Sequence, residues 1–337
     1  MKRTRIGLHT LVILLLLIFS ATVAAQKPEK KQVSGNPAKL PAAIWRDPGN
    51  VGSLNLLYGA GGQEHAPDAN GRYTFVKEIM TGGSPKFDVR DAQGVLWRVK
   101  MGHESHSEVA ATRLLWAAGY FVDEDYYLPQ IKVTRLPKLH RGGEFVASGG
   151  TVRNVRLERR PKEVKKVGSW SWFDNPFLDK REFNGLCVMM ALLNNWDLKA
   201  TNNTIEQISG ERRYVITDLG ATFGKTGNSF SRSRSVLKDY ANSKFVDKVT
   251  PEFVDFVMES RPFAAAAINV SYYKKRTKME NITEHIPRAD AKWLGQILAQ
   301  LSEEQIRDCF RAGGFTPEEV EGYTTVVRKR IAELGAL

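Results

Sequence analysis

Asp197-Leu198-Lys199-Ala200-Thr201-Asn202 is the stretch on which the reading of this chain turns. It follows an apolar run, residues 180–196 (KREFNGLCVMMALLNNW), whose length and composition predict a helix. It precedes two short runs, 204–208 (TIEQI) and 213–217 (RYVIT), that predict a pair of strands. A second polar loop, Asp218-Leu219-Gly220, closes that pair and stands 21 residues after Asp197. A hairpin between the two loops would bring Asn202 and Asp218 together.

The residue types in these loops suit phosphoryl transfer, which needs a carboxylate near the attacking hydroxyl, oxygen ligands for Mg2+ and cations on the phosphates. Asp197 can orient or deprotonate a hydroxyl. Asn202 and Asp218 offer hard oxygen ligands for Mg2+. Lys199, two residues beyond Asp197, can reach a transferring phosphoryl group.

Working upstream, residues 151–161 and 126–136 read as strands. Residues 107–119 (SEVAATRLLWAAG) predict a helix ending at Gly119. Two strands, 87–91 and 95–101, meet at the turn Asp91-Ala92-Gln93-Gly94, a hairpin signal. Lys100 lies at the end of the second, and Glu108 and Glu104 follow as possible ion-pair partners; the sequence does not choose between them. A further strand, 73–80, is followed by the turn Gly82-Gly83-Ser84-Pro85-Lys86. Glycines there would let backbone N–H groups approach phosphates.

The order of these parts resembles the protein-kinase-like superfamily: glycine turn, strand lysine, helix glutamate, D-L-K-x-x-N, then D-L-G. The G-G-S-P-K turn is more similar to the G-x-x-P-K loop of HipA-like and phosphoinositide-kinase-like members than to G-x-G-x-x-G. The resemblance implies an α+β, two-lobed protein-kinase-like fold with a β-rich N-lobe and a helical C-lobe around an ATP site. It assigns Gly82, Gly83, Ser84, Lys86, Lys100 and Glu108 to ATP, Asp197 and Lys199 to catalysis, and Asn202 and Asp218 to Mg2+. The chain departs from the common pattern in three ways. Asn195-Trp196 replaces His-Arg before Asp197, no A-P-E follows the D-L-G, and Glu108 lies only eight residues after Lys100.

Domain boundaries are expected at 1–25 (signal peptide), 26–43 (flexible linker), 44–160 (β-rich lobe) and 161–337 (helical lobe). Lys2, Arg3 and Arg5 precede the apolar run 11–19, and Val23 and Ala25 suit cleavage before Gln26. Export to the periplasm, the exterior or the secretory pathway is therefore expected. The apolar run is short for a bilayer span, so no transmembrane span is expected after cleavage. Beyond 250, residues 251–260 (PEFVDFVMES), 291–301, 302–313 and 317–334 read as helices.

The formal net charge is +12, and the signal carries three of those charges. An anionic partner or surface is favoured; nucleic acid is not, because no recognition helix or aromatic stacking motif accompanies the charge. The two cysteines, Cys187 and Cys309, could pair in an oxidising compartment or stay buried and free. Several rival motifs are weaker. Gly220–Thr226 (GATFGKT) has three residues between its glycines where a P-loop needs four. His103 and His106 lack a further metal ligand. Trp170, Trp172 and Phe173 suit packing better than a sugar or lipid contact, and Asn202, Asn269 and Asn281 begin glycosylation sequons. Lys225, Arg232, Arg234 and Lys238, among serines, read either as a docking or autophosphorylated segment or as a solvated loop.

The expected function is thus an exported atypical kinase that transfers the ATP γ-phosphate to a protein or small-molecule hydroxyl. The alternatives are a pseudokinase or scaffold that binds nucleotide or an anionic partner without catalysis, and a basic polyanion binder with no nucleotide.

Overall fold

The structure, a computed structural model, describes residues 40–226, 232–257 and 281–337. The signal, most of the expected linker, and Asn269 lie outside the described residues. Two residues at the end of that linker form β1 (Ala42–Ala43). No helix among the described residues is long and apolar enough to cross a membrane.

The amino-terminal part is β-rich. Its strands are β2 (Arg72–Glu78), β3 (Lys86–Arg90), β4 (Leu96–Met101), β5 (Asp125–Thr134), β6 (Val146–Ala147) and β7 (Thr151–Arg159). They run in the order β4-β3-β2-β5-β7-β6, and β4 also pairs with β7. The ladder of five strands therefore closes on itself, which leaves no free edge in it. Side chains alternate as a half-buried strand requires: Phe87, Val89, Val99, Ile131, Val133, Val152 and Leu157 fill the inside. Asp88, on the opposite face by the same alternation, is buried as well and is ion-paired to Arg98 at 2.8 Å. The Asp91–Gly94 turn forms as expected. The Asp91 carboxylate accepts from the Gln93 and Val95 backbone and from the Trp97 indole, and Gly94 takes the left-handed φ of +80°.

Between β4 and β5 runs α1 (Glu104–Ala117). Val109, Ala110, Leu114 and Leu115 are buried, and Ala110 and Leu114 belong to the core of the carboxy-terminal part. That part is mostly helical and begins after the connector 160–164. It contains β8 (Lys165–Gly168), α2 (Arg181–Leu192), β9 (Asn203–Ile208), β10 (Glu211–Ile216), α3 (Leu237–Asn242), β11 (Val246–Val249), β12 (Phe253–Phe256), β13 (Ile286–Pro287), α4 (Arg288–Leu298), α5 (Glu303–Ala312) and α6 (Pro317–Gly335). A small sheet, β1-β10-β9-β8, carries the hairpin expected between the polar loops, in register from Asn203↔Ile216 to Glu211↔Ile208. The fold is thus α+β, with a β-rich amino-terminal part and a helical carboxy-terminal part.

One expectation fails. Residues 251–260 read as a helix, yet Phe253–Phe256 forms a strand between β11 and β13. Val254 and Phe256 are buried while Phe253 is exposed, a period of two rather than 3.6. Cys187 and Cys309 are both buried and free. Trp170 and Trp172 pack in the helical core, and the Trp170 indole donates to the Val215 carbonyl at 3.1 Å.

Candidate functional site

The site begins with Lys100, the fifth residue of β4. Its amine is buried yet meets three carboxylates: Glu104 at 2.8 Å, Glu108 at 3.0 Å and Asp218 at 2.6 Å. Burial alone would discharge an amine. Here the Glu108 and Asp218 carboxylates outweigh it and hold the Lys100 pKa above its ordinary value. Asp218 shows the reciprocal effect: burial opposes its ionisation, but Lys100 beside it keeps its pKa below the usual carboxylate range.

The short spacing from Lys100 to Glu108 has a structural cause. Gly102, at φ +101°, turns the chain directly from β4 into α1, and its N–H donates to the Asn154 carbonyl. That conformation favours glycine. Glu104 then opens the helix and Glu108 sits one turn on, so both carboxylates share the face towards Lys100. The choice left open by the sequence is resolved in favour of both. Glu108 also holds Arg156 of β7 at 2.8 Å, and Arg156 in turn holds Asp125 at 3.0 Å and Glu158 at 2.9 Å.

The glycine turn lies against this cluster. Ser84 Oγ donates to Glu104 at 2.6 Å. Lys86 pairs in register with Lys100 across β3 and β4, and burial lowers its pKa. Arg141, a residue that the sequence reading did not single out, fixes the turn by donating to the carbonyls of Ile79 and Gly82, each at 2.7 Å.

The loop after α2 is built around three asparagines. Asn194 takes φ +52°; its amide donates to the Gly224 carbonyl and Ser243 Oγ, and its oxygen accepts from Arg330 at 2.9 Å. Asn195 accepts from the Asp197 backbone N–H. Asn202 donates to the Asp197 carbonyl at 2.8 Å and so closes the loop. Thr217 binds the Asn202 carbonyl through both its N–H and its hydroxyl. Asn202 and Asp218 therefore flank the open end of the β9–β10 hairpin, as the spacing predicts. Asp218 takes φ +57°, an uncommon conformation for a residue other than glycine, asparagine or aspartate.

Two groups result. Glu104, Glu108 and Asp218 gather around the buried Lys100 amine, with Lys86 on the neighbouring strand and the Gly82–Ser84 turn joined to the cluster through Ser84 and Glu104. Asp197, Lys199 and Asn202 form the second, in which Lys199 pairs with the Asp197 carboxylate at 2.7 Å. Thr217 is the link between them. Among the described residues, Asp197 and Lys199 make no hydrogen bond or ion pair to Lys100 or Asp218.

Described residues from Gly220 onward contact α1 and Trp196, the residue before Asp197. Ser107 Oγ donates to the Gly220 carbonyl at 2.9 Å, and a Cβ on Gly220 would stand 2.7 Å from Glu104 Cβ, too close for any other residue. The Trp196 indole donates to the Ser233 carbonyl at 2.9 Å. Arg232 and Arg234 lie over the Trp196 ring, 4.0 and 5.0 Å from its centre. The Arg234 guanidinium continues to Glu104.

The donor set fits a phosphate-bearing ligand, because a carboxylate already sits among Ser84, Lys100 and Arg234 as an anion would. It also fits a hard cation, because Asp218 Oδ2 and Asn202 Oδ1 have no hydrogen-bond partner among the described residues. No cluster of three or more His, Cys, Asp or Glu that could hold a metal occurs among those residues, so any metal here would rest on the Asn202–Asp218 pair. His106 is engaged elsewhere, against Tyr127 and Phe315 and bonded to the Gly313 carbonyl. A cavity of about 390 Å³ lies away from the site, between Arg46, Phe121, Asp123, Glu206 and Arg213.

No family model matches the chain, and no curated protein matches it. Solved structures do resemble it. One is a proinflammatory kinase, CtkA, of Helicobacter pylori, with 13% identity over 79% of this chain and 97% of that one and a TM-score of 0.46. Another is the Golgi casein kinase, with 10% identity over 80% of this chain and 73% of that one and a TM-score of 0.37. A third is the amicoumacin kinase hAmiN in complex with AMP-PNP, Ca2+ and Ami, with 11% identity over 77% of this chain and 88% of that one and a TM-score of 0.24.

Proposed function

We propose that the chain is an exported, protein-kinase-like phosphotransferase that uses ATP and Mg2+ to phosphorylate a hydroxyl on a protein or small molecule. One observation carries the reading. Lys100 and Asp218 lie 118 residues apart in sequence, yet they meet at 2.6 Å beside a helix glutamate that also holds the lysine. An ion pair that serves stability alone has no need of a partly exposed carboxylate flanked by an unpaired asparagine oxygen.

In this reading Mg2+ supplies charge neutralisation on the phosphates when bound. Asp218 and Asn202 provide its protein oxygens. Lys100 and Lys86 face the anionic part of the nucleotide, and Arg141 keeps the Gly82–Lys86 turn at the distance that those lysines require. Asp197 accepts the hydroxyl proton or aligns the hydroxyl, and Asn202 fixes the Asp197 backbone through the bond to its carbonyl. Lys199 stays beside Asp197 as the cation nearest the incoming oxygen. Export rests on the amino-terminal signal pattern.

The test is transfer from labelled ATP, including autophosphorylation, by the wild-type chain and by Asp218→Ala. Loss of labelling of about a hundredfold or more is expected, because a metal oxygen and the Lys100 partner go together. Equal labelling of both chains removes the reading. A nucleotide-dependent rise in melting temperature with no transfer by the wild type would leave a pseudokinase in its place.

A further inference from the structure

Three donors from three separate parts of the chain converge on one carboxylate. Ser84, in the glycine turn, gives its hydroxyl to Glu104 Oε2 at 2.6 Å. Lys100 on β4 stands 2.8 Å from the same oxygen. Arg234, from the segment after β10, takes Oε1. Two cations and a hydroxyl around one small anion make the donor set of a phosphate seat.

Glu104 is not needed to neutralise Lys100, which already has Glu108 and Asp218. Arg234, by contrast, makes its only ion pair among the described residues with Glu104. The two helix carboxylates also differ in freedom: Glu108 is 1% exposed and locked to Arg156, whereas Glu104 is 19% exposed. Glu104 can turn outward into water, and Glu108 cannot. Arg234 would not follow it, because its guanidinium rests on the Trp196 ring.

We infer that Glu104 is a displaceable internal surrogate for phosphate, and that the terminal phosphate of a bound nucleotide takes its place among Ser84, Lys100 and Arg234. The inference rests on the nucleotide reading above and deepens it by adding Arg234 as a phosphate ligand beside Ser84 and Lys100, and Glu104 as the group that restrains binding. In the ligand-free chain the Arg234–Glu104–Ser84 bridge ties the segment after D-L-G to the glycine turn. Filling the seat replaces Glu104 as the bridging anion: Arg234 and Ser84 stay joined, now through the phosphate, and Glu104 swings out. Removing the carboxylate removes a competitor and a like charge from the seat.

The experiment is calorimetric titration of wild type, Glu104→Gln, Glu104→Ala and Arg234→Ala with MgATP and, separately, with inorganic tripolyphosphate, after urea melts show each chain folded. Both Glu104 variants are expected to bind each probe at least about tenfold more tightly than wild type, and Arg234→Ala about tenfold more weakly. Unchanged or weaker binding by folded Glu104 variants overturns the inference while leaving the nucleotide reading in place. Tighter tripolyphosphate binding without any ATP binding keeps the phosphate seat and removes the nucleotide reading. No binding of either probe by any variant overturns both.

Discussion

At the scale of single residues, Glu108 holds more than its place beside Lys100 suggests. Its two oxygens divide between Lys100 and Arg156, and all three groups are buried. A buried ion pair contributes little relative to an apolar replacement of both partners, but removing one partner leaves the other charge stranded. Glu108→Ala takes one carboxylate from each of two buried cations, leaving Lys100 with Glu104 and Asp218 and Arg156 with Asp125 and Glu158. The expected result is a loss of about 2–3 kcal/mol in unfolding free energy, that of two buried charge-assisted hydrogen bonds, measured by urea denaturation. The pair Glu108→Leu with Lys100→Met should recover part of it. A single variant within about 1 kcal/mol of wild type would show that water or rearrangement compensates the two cations. Stability and chemistry are thus coupled at this residue, and an activity assay on Glu108 variants reads both at once.

At the scale of elements, what the sequence made legible was local. The Asp91–Gly94 and β9–β10 hairpins form where turn residues mark them. Helices α5 and α6 start at capping boxes, Ser302 with Gln305 and Thr316 with Glu319, that lie within four residues of each other. The two polar loops were placed because the hairpin between them is short. Arg141, Arg156 and Arg330 were not legible as part of the site, because each acts on groups tens of residues or more away and no local pattern marks them; Arg234 stood out only as part of a basic, serine-rich stretch, with nothing to show that it reaches Glu104. The helix expected at 251–260 failed for a related reason: Val254 and Phe256 suit either element, and partners on β11 and β13 chose the strand. Arg330 illustrates the long-range kind. From α6, and stacked on Tyr240, it donates to the Ala191 and Leu192 carbonyls at the end of α2 and to Asn194. The carbonyls at a helix end lack intrahelical partners, so this side chain finishes α2 from 138 residues away. Arg330→Met keeps most of the volume and leaves Asn194 Oδ1 unpaired, while the Leu192 carbonyl keeps only the Tyr240 hydroxyl and the Ala191 carbonyl keeps the Asn194 N–H. We expect a loss of about 2–3 kcal/mol and faster amide exchange over 193–197. Unchanged exchange there would mean that the loop holds its shape without the helix cap.

At the scale of the whole molecule, the two parts are joined electrostatically as well as through the 160–164 connector. Lys166 on β8 faces Asp123 just before β5 at 3.3 Å, Glu158 on β7 at 3.3 Å and Glu206 on β9 at 3.6 Å. Glu158 leads on through Arg156 and Glu108 to Lys100, so the chain of charges runs from the second sheet to the site. Three carboxylates share one lysine, and burial raises the pKa of both Asp123 and Glu206 while Glu158, served also by Arg156 and Arg160, stays low. Burial first, then the Asp123 and Glu158 carboxylates, push the Glu206 pKa up to about 7 against the pull of Lys166. The unfolded chain releases that proton near pH 4.3. Between those values the folded state binds the extra proton, so the stability from this group is fully present below the lower value. It is lost as pH rises to about 7. Glu206→Gln removes the titration. The variant should match wild type near pH 4.5 and exceed it by about 2–3 kcal/mol above pH 8, a rise of several degrees in melting temperature. The pH dependence of the difference reports Glu206 together with its effect on the neighbouring Asp123 and Glu158 carboxylates. A difference flat from pH 4.5 to 8.5 would mean that Lys166 serves all three carboxylates equally, and that this junction carries no strain from unshared charge.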